Sequence, residues 1–163
     1  EKNAVLAATS IYGVDILQDN VIACRERLFA IWDKEYSAVC KKEANEECRE
    51  AVRFILSRNI VHGNALSLMQ VDAFGWDTGE PIVFSEWAFV TGLLLQRSDY
   101  TFDELLAGDK PGRDLFAKEQ KTKKTVPSQQ SLFDGATIDQ PSDEGRFVGK
   151  TISHYRKVQD YGG

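Results

Sequence analysis

The chain has 163 residues, 42% hydrophobic and 28% charged, a composition that supports one buried core plus appendages. Its formal net charge of −5 argues against a general nucleic-acid binder and against a surface held to anionic lipid, since both need a positive field. No apolar run approaches the ~20 residues needed to cross a bilayer, and "NAVLAATSIYGV" is too short and lacks the basic flank of a secretion signal, so a cytoplasmic protein without membrane contact is expected. Cys24, Cys40 and Cys48 lack paired spacing and fit reduced thiols of that compartment.

From Val14 the apolar positions Val14, Leu17, Val21, Cys24, Leu28, Ile31, Trp32 and Val39 recur at three- and four-residue intervals, which predicts one stripe along a helix of about seven turns. Gln18, Asp19, Arg25, Glu26, Asp33 and Lys34 fall on the opposite, solvated face. A second helix is predicted around Glu43 to Arg58, with Cys48, Ala51, Val52, Ile55 and Leu56 inward. No Gly or Pro marks a break at "KKEANEE"; if the chain turns there, antiparallel pairing takes both stripes out of water.

In the middle, "GWDTGEP" reads as a turn, and Ser85 as the cap of a helix through "EWAFVTGLLLQR", apolar nearly all round and so placed at the centre of the fold. Thr101 and Glu104 have capping-box spacing, with Gly108 as the stop, and a short helix from about Arg113 to Lys121 follows. The expected architecture is therefore a mainly α-helical bundle over 10–117, a flexible linker over 118–144 and a short terminal segment of β or hairpin character over 145–163.

The linker, rich in Pro, Ser, Gln and Gly, carries one apolar pair, in "QQSLF". This pentapeptide resembles the sliding-clamp-binding motif of bacterial replication and repair proteins, whose pattern is Gln, often Leu, Ser or Asp, Leu, Phe; Gln130 stands where Leu is preferred. The resemblance covers five residues and implies a peptide that docks in the hydrophobic pocket of the β clamp. It implies polar contacts from Gln129, a turn set by Ser131, and anchors in Leu132 and Phe133. Two apolar side chains presented on a solvated strap suit such docking, and Lys121, Lys123 and Lys124 would steer the peptide toward an acidic clamp surface or toward DNA threaded through the ring. The competing reading is that Leu132 and Phe133 tuck the strap onto its own core.

At the end of the chain "GKT" invites a phosphate-loop reading, which fails because Gly145 to Gly149 leaves three intervening residues where four are needed. Gly145, Val148, Gly149, Ile152 and Gln159 resemble the start of the small β module of KfrB-type plasmid proteins, which would imply a truncated copy on a plasmid or other mobile element. The alternative is a terminal hairpin or helix packing Phe147, Ile152, Tyr155 and Val158 on the core.

His62 and His154 lie in no zinc-binding spacing, no serine elbow or dinucleotide fingerprint is present, and no cofactor is expected. Glu46, Glu47 and Glu50, or Asp72, Asp77 and Glu80, could supply paired carboxylates, though the first set reads as a helix surface and the second as a turn. The leading expectation is a non-enzymatic adaptor or inhibitor of the replication clamp. The alternatives are a helical regulatory or assembly subunit that oligomerises through the Val14–Val39 stripe, and an enzyme using the middle carboxylates.

Overall fold

The computed structural model describes residues 1–107 and 149–161. About half of these are helical and about a third lie in strands, arranged as three small sheets among the helices, so the chain is a mixed α/β protein and the expected helical bundle is overturned.

Helix α1 (Lys2–Thr9) leads into a short strand β1 (Gly13–Asp15), and α2 (Gln18–Cys40) follows. Val14 thus belongs to a strand, and Leu17 is the residue before the helix begins. Lys41 adopts a left-handed φ of 48°, and a single 3-10 turn (Lys41–Glu43) reverses the chain without glycine or proline. Helix α3 (Glu46–Asn59) then starts on the Asn45 side chain, which accepts from the Cys48 amide at 2.9 Å, with Glu46 and Glu47 in the first turn and Arg58 in the last, where each charge opposes the helix dipole. The pairing of α2 with α3 is antiparallel. Arg25, early in α2, donates through Nε to the Ile60 carbonyl (2.8 Å) at the far end of α3, while Asp33, further on, receives Arg49 Nε (2.6 Å) near the start of α3.

All five inward residues expected on α3 are buried. On α2 the covered line is Val21, Arg25, Phe29, Trp32 and Tyr36, which leaves Ile31 66% and Val39 78% exposed and turns Arg25 and Asp33 from the supposed water face toward α3. A 3.6-residue repeat admits two neighbouring stripes on one helix. The positions of α1 and α3 decide which is used.

Strand β2 (Ile60–His62) leaves α3 directly and pairs parallel with β1, in the register Gly13↔Ile60, Val14↔Val61, Asp15↔His62. A hairpin of β3 (Met69–Val71) and β4 (Asp77–Pro81) follows, so "GWDTGEP" lies largely in a strand and the turn sits one step earlier, over Asp72–Trp76.

The largest correction concerns the expected central helix. "EWAFVTGLLLQR" is the hairpin of β5 (Val83–Thr91) and β6 (Leu94–Thr101), closed by a two-residue loop in which Gly92 takes the positive φ of 55° that such loops require. Ser85 caps no helix; it sits fully buried in β5 and donates to Asp99 Oδ1 at 2.6 Å. Thr101 and Glu104 do form a reciprocal box, Thr101 N to Glu104 Oε2 at 2.8 Å and Glu104 N to Thr101 Oγ1 at 3.4 Å, and open α4 (Phe102–Ala107). The chain returns as β7 (Gly149–His154), antiparallel to β6, and ends in 3-10 turns over Tyr155–Tyr161. Ile152 is half-exposed, whereas Tyr155 and Val158 enter the core. That core joins Val5 and Ala8 of α1, Tyr36 of α2, the inner face of α3, Trp87 and Leu95 of the sheet, and the terminal turns.

Candidate functional site

Gln129, Ser131, Leu132 and Phe133, together with Lys121, Lys123, Lys124 and the helix expected from Arg113, lie outside the described residues. The described part offers one half-buried and one buried polar cluster and one open edge.

The first cluster gathers around the Glu1 carboxylate, which accepts from Tyr36 Oη (2.8 Å), Asn45 Nδ2 (2.6 Å), Tyr155 Oη and the Arg156 guanidinium. Burial raises the pKa of this carboxyl, but the bonds from Arg156, Tyr155 and Tyr36 outweigh burial and bring it down to about 2. Burial and the Glu1 acceptor push the Tyr155 hydroxyl up to about 12, and burial raises the neighbouring Cys48 thiol. The second cluster centres on Asp99, held by Ser85 Oγ, by Arg97 at 3.3 Å and by Arg58 at 3.6 Å. In both, the polar partners come from the protein itself and link separate elements, which is what a structural clasp requires.

The open edge is different in kind. Two parallel strands joined by a helical crossover place both of their carboxyl ends on the same side, and in open α/β sheets it is outside such carboxyl ends that ligands bind. Here the edge carries Asp15, Ile16 and Leu17 from one strand and His62, Gly63 and Asn64 from the other. The Gly63 amide donates to the Asp15 carbonyl (2.9 Å), extending the pairing by one step. His62 Nε2 lies 2.9 Å from the Ile16 carbonyl; a carbonyl only accepts, so Nε2 holds the proton and Nδ1 is the other nitrogen. Asp15 Oδ1 accepts from the Leu17 amide (2.8 Å) and Oδ2 from Asn20 Nδ2 (3.2 Å), which fixes the carboxylate while leaving acceptor capacity on both oxygens. Ile16 and Leu17 beside it are exposed. Arg25 anchors the crossover from behind through Ser57 and Ile60, at the cost of a pKa lowered by burial.

This arrangement can accept hydrogen bonds from a pair of adjacent hydroxyls and lay an apolar surface against a flat ring. The six edge residues include no lysine or arginine, so the part of a ligand suited to it is sugar and base rather than phosphate. Asp15 is hidden in the sequence because Val14, its neighbour, fits the start of the helical stripe; the signal for a strand is Val14 following Gly13, in a run ending in an acid before a turn. His62 was seen only as a failed zinc ligand. Asp72, Asp77 and Glu80 are exposed along the β3–β4 hairpin, and among the described residues no three His, Cys, Asp or Glu side chains group to hold a metal ion. No family model, no curated protein and no solved structure matches the chain. Among the described residues no helix is long and apolar enough to cross a membrane.

Proposed function

We propose that the chain binds an adenosine-type cofactor at the carboxyl edge of its β1–α2–α3–β2 unit. The observation that carries this reading is the Asp15 carboxylate, held by Leu17 N and Asn20 Nδ2 at the end of a parallel strand, with exposed Ile16 and Leu17 next to it. Asp15 receives the two ribose hydroxyls, Ile16 and Leu17 pack against the base, and the rigid crossover keeps the edge in place. Calorimetric titration of the full chain with adenosine, S-adenosylmethionine, NAD and ATP tests it. Ligands with a free ribose diol bind, a dideoxy analogue binds at least ~10-fold more weakly, and Asp15→Asn loses a similar factor, since a hydrogen bond to a charged group contributes about 1.5–3 kcal/mol. Equal affinity for the dideoxy analogue, or no binding by any nucleoside of the set, removes the reading.

A second function rests on "QQSLF", Gln129 to Phe133, the clamp-type peptide. In this reading the chain is tethered to the bacterial β sliding clamp in the cytoplasm, where Leu132 and Phe133 anchor it, Gln129 and Ser131 orient it, and Lys121, Lys123 and Lys124 speed the encounter. Burial of two such anchors, about 1.5–3 kcal/mol each before ordering costs, gives an affinity on the order of micromolar. Purified clamp should be retained by the wild type and lost with Leu132→Ala plus Phe133→Ala; equal retention of both disposes of it. The two functions are compatible, one being the ligand and the other the place of work.

A further inference from the structure

The β3–β4 hairpin ends in a turn that holds two large aromatic side chains away from the molecule: Phe74 is 87% and Trp76 74% exposed. The turn is built rather than loose. Asp72 Oδ1 accepts from the Phe74 amide (2.8 Å) and the Trp76 amide (3.0 Å), Asp72 N donates to the Trp76 carbonyl (2.9 Å), and Gly75 takes a left-handed φ of 84° to let the chain pass. At its base the hairpin is pinned by buried Val71 and by Ile82, which packs onto Gly63. Among the described residues neither ring is stacked on another or covered by a cation of the protein itself. Two exposed aromatic rings on a pre-ordered turn are an unsatisfied surface, and pre-ordering removes part of the entropy lost on binding.

The charge around them selects the partner. Asp72 and Asp77 flank the aromatic turn and Glu80 lies further along β4 toward the base of the hairpin; all three are exposed, and among the described residues no ion pair reaches any of them. Asp77 Oδ1 accepts from the neutral Asn64 amide at 3.2 Å. Such a surface repels phosphates and anionic lipid, while ring faces and carboxylates both attract cations.

We propose that the Asp72–Trp76 tip and its acidic flank dock a lysine- or arginine-rich segment of a partner protein. Guanidinium or ammonium groups lie over Phe74 and Trp76, and Asp77 and Glu80 pair with their neighbours. The test is fluorescence anisotropy of a labelled synthetic Arg/Lys-rich peptide titrated with the full chain, with Phe74→Ala plus Trp76→Ala and with Asp77→Asn plus Glu80→Gln. Duplex DNA and phosphatidylserine vesicles serve as competing ligands.

Saturable binding at low salt is expected, weakened about tenfold or more by either variant and by raised ionic strength, as cation–π and charge pairing imply. No saturation, equal affinity of both variants and wild type, or binding of DNA or vesicles through the same residues would overturn it. Should the aromatic double variant lose its circular-dichroism spectrum, the isosteric Asp77→Asn plus Glu80→Gln variant decides, because the new amide oxygen keeps the acceptor used by Asn64. None of these outcomes depends on Asp15 or on residues 129–133.

Discussion

Glu1 shows how much one carboxylate can organise. It is bonded by groups from α2, from the turn before α3 and from the terminal 3-10 segment, so it ties the start of the chain to three separate elements. Its folded pKa, about 2, is depressed below the ordinary value of 4.5, so the stability it contributes is fully present above that ordinary value and is lost as the pH falls toward 2. Urea denaturation at stepped pH should therefore show a midpoint that declines through this window, and Glu1→Gln should flatten the decline while costing about 1–3 kcal/mol at neutral pH. A variant with the wild-type pH profile would show that Glu1 is not the group responsible. At the same scale, Asn59 is fully buried with both ends used, Oδ1 receiving Trp87 Nε1 (2.9 Å) and Nδ2 donating to the Thr9 carbonyl (3.3 Å). Neither partnership could be read in the sequence, because contacts 28 and 50 residues away leave no local pattern.

Elements were legible in proportion to how local their causes are. Helix α3 has a cap, acids at its start, a base at its end and an unambiguous inner face, and it lies within a few residues of the predicted span. The Thr101–Glu104 box was equally local. The hairpin of β5 and β6 was not, since a run such as "AFVTGLLL" has no face to show and periodicity cannot separate a buried helix from buried strands. The discriminating features were its β-branched and aromatic content and Gly92, which belongs at a hairpin loop. β1 and β2, three residues each, were too short to interrupt the helical pattern around them. Gly63, beside β2, is where the parallel edge meets the next hairpin: a Cβ there would stand 2.5 Å from Ile82 Cδ1 and 3.0 Å from the Met69 carbonyl oxygen. Gly63→Ala is expected to cost about 1–3 kcal/mol by overpacking, read as a lowered thermal midpoint, and a wild-type midpoint would show that Ile82 has room to move.

Over the whole molecule, the inner face of α3 and the acidic charge describe a real core and surface, yet the expected architecture was wrong because the three sheets of the described residues are made by strands that meet only after folding. The candidate ligand edge was missed for the same reason. Asp15 and His62 become neighbours only through the parallel register of β1 with β2. The peptide resemblance belongs to another category. It is readable from five consecutive letters whatever the rest of the chain does, and it depends on a partner rather than on the fold.

The order of strands in the third sheet carries one last implication. β7 follows β6 in space but comes after it by way of residues 108–148, and the terminal turns that follow seat Tyr155 and Val158 against α3. A chain released after its first two thirds would thus show water a bare β6 margin and an uncovered greasy hollow on α3, the conditions for sticking to its siblings. Such a chain is expected to gain solubility when a separate peptide spanning 149–161 is supplied, because β7 and the terminal turns are what cover β6 and α3 among the described residues.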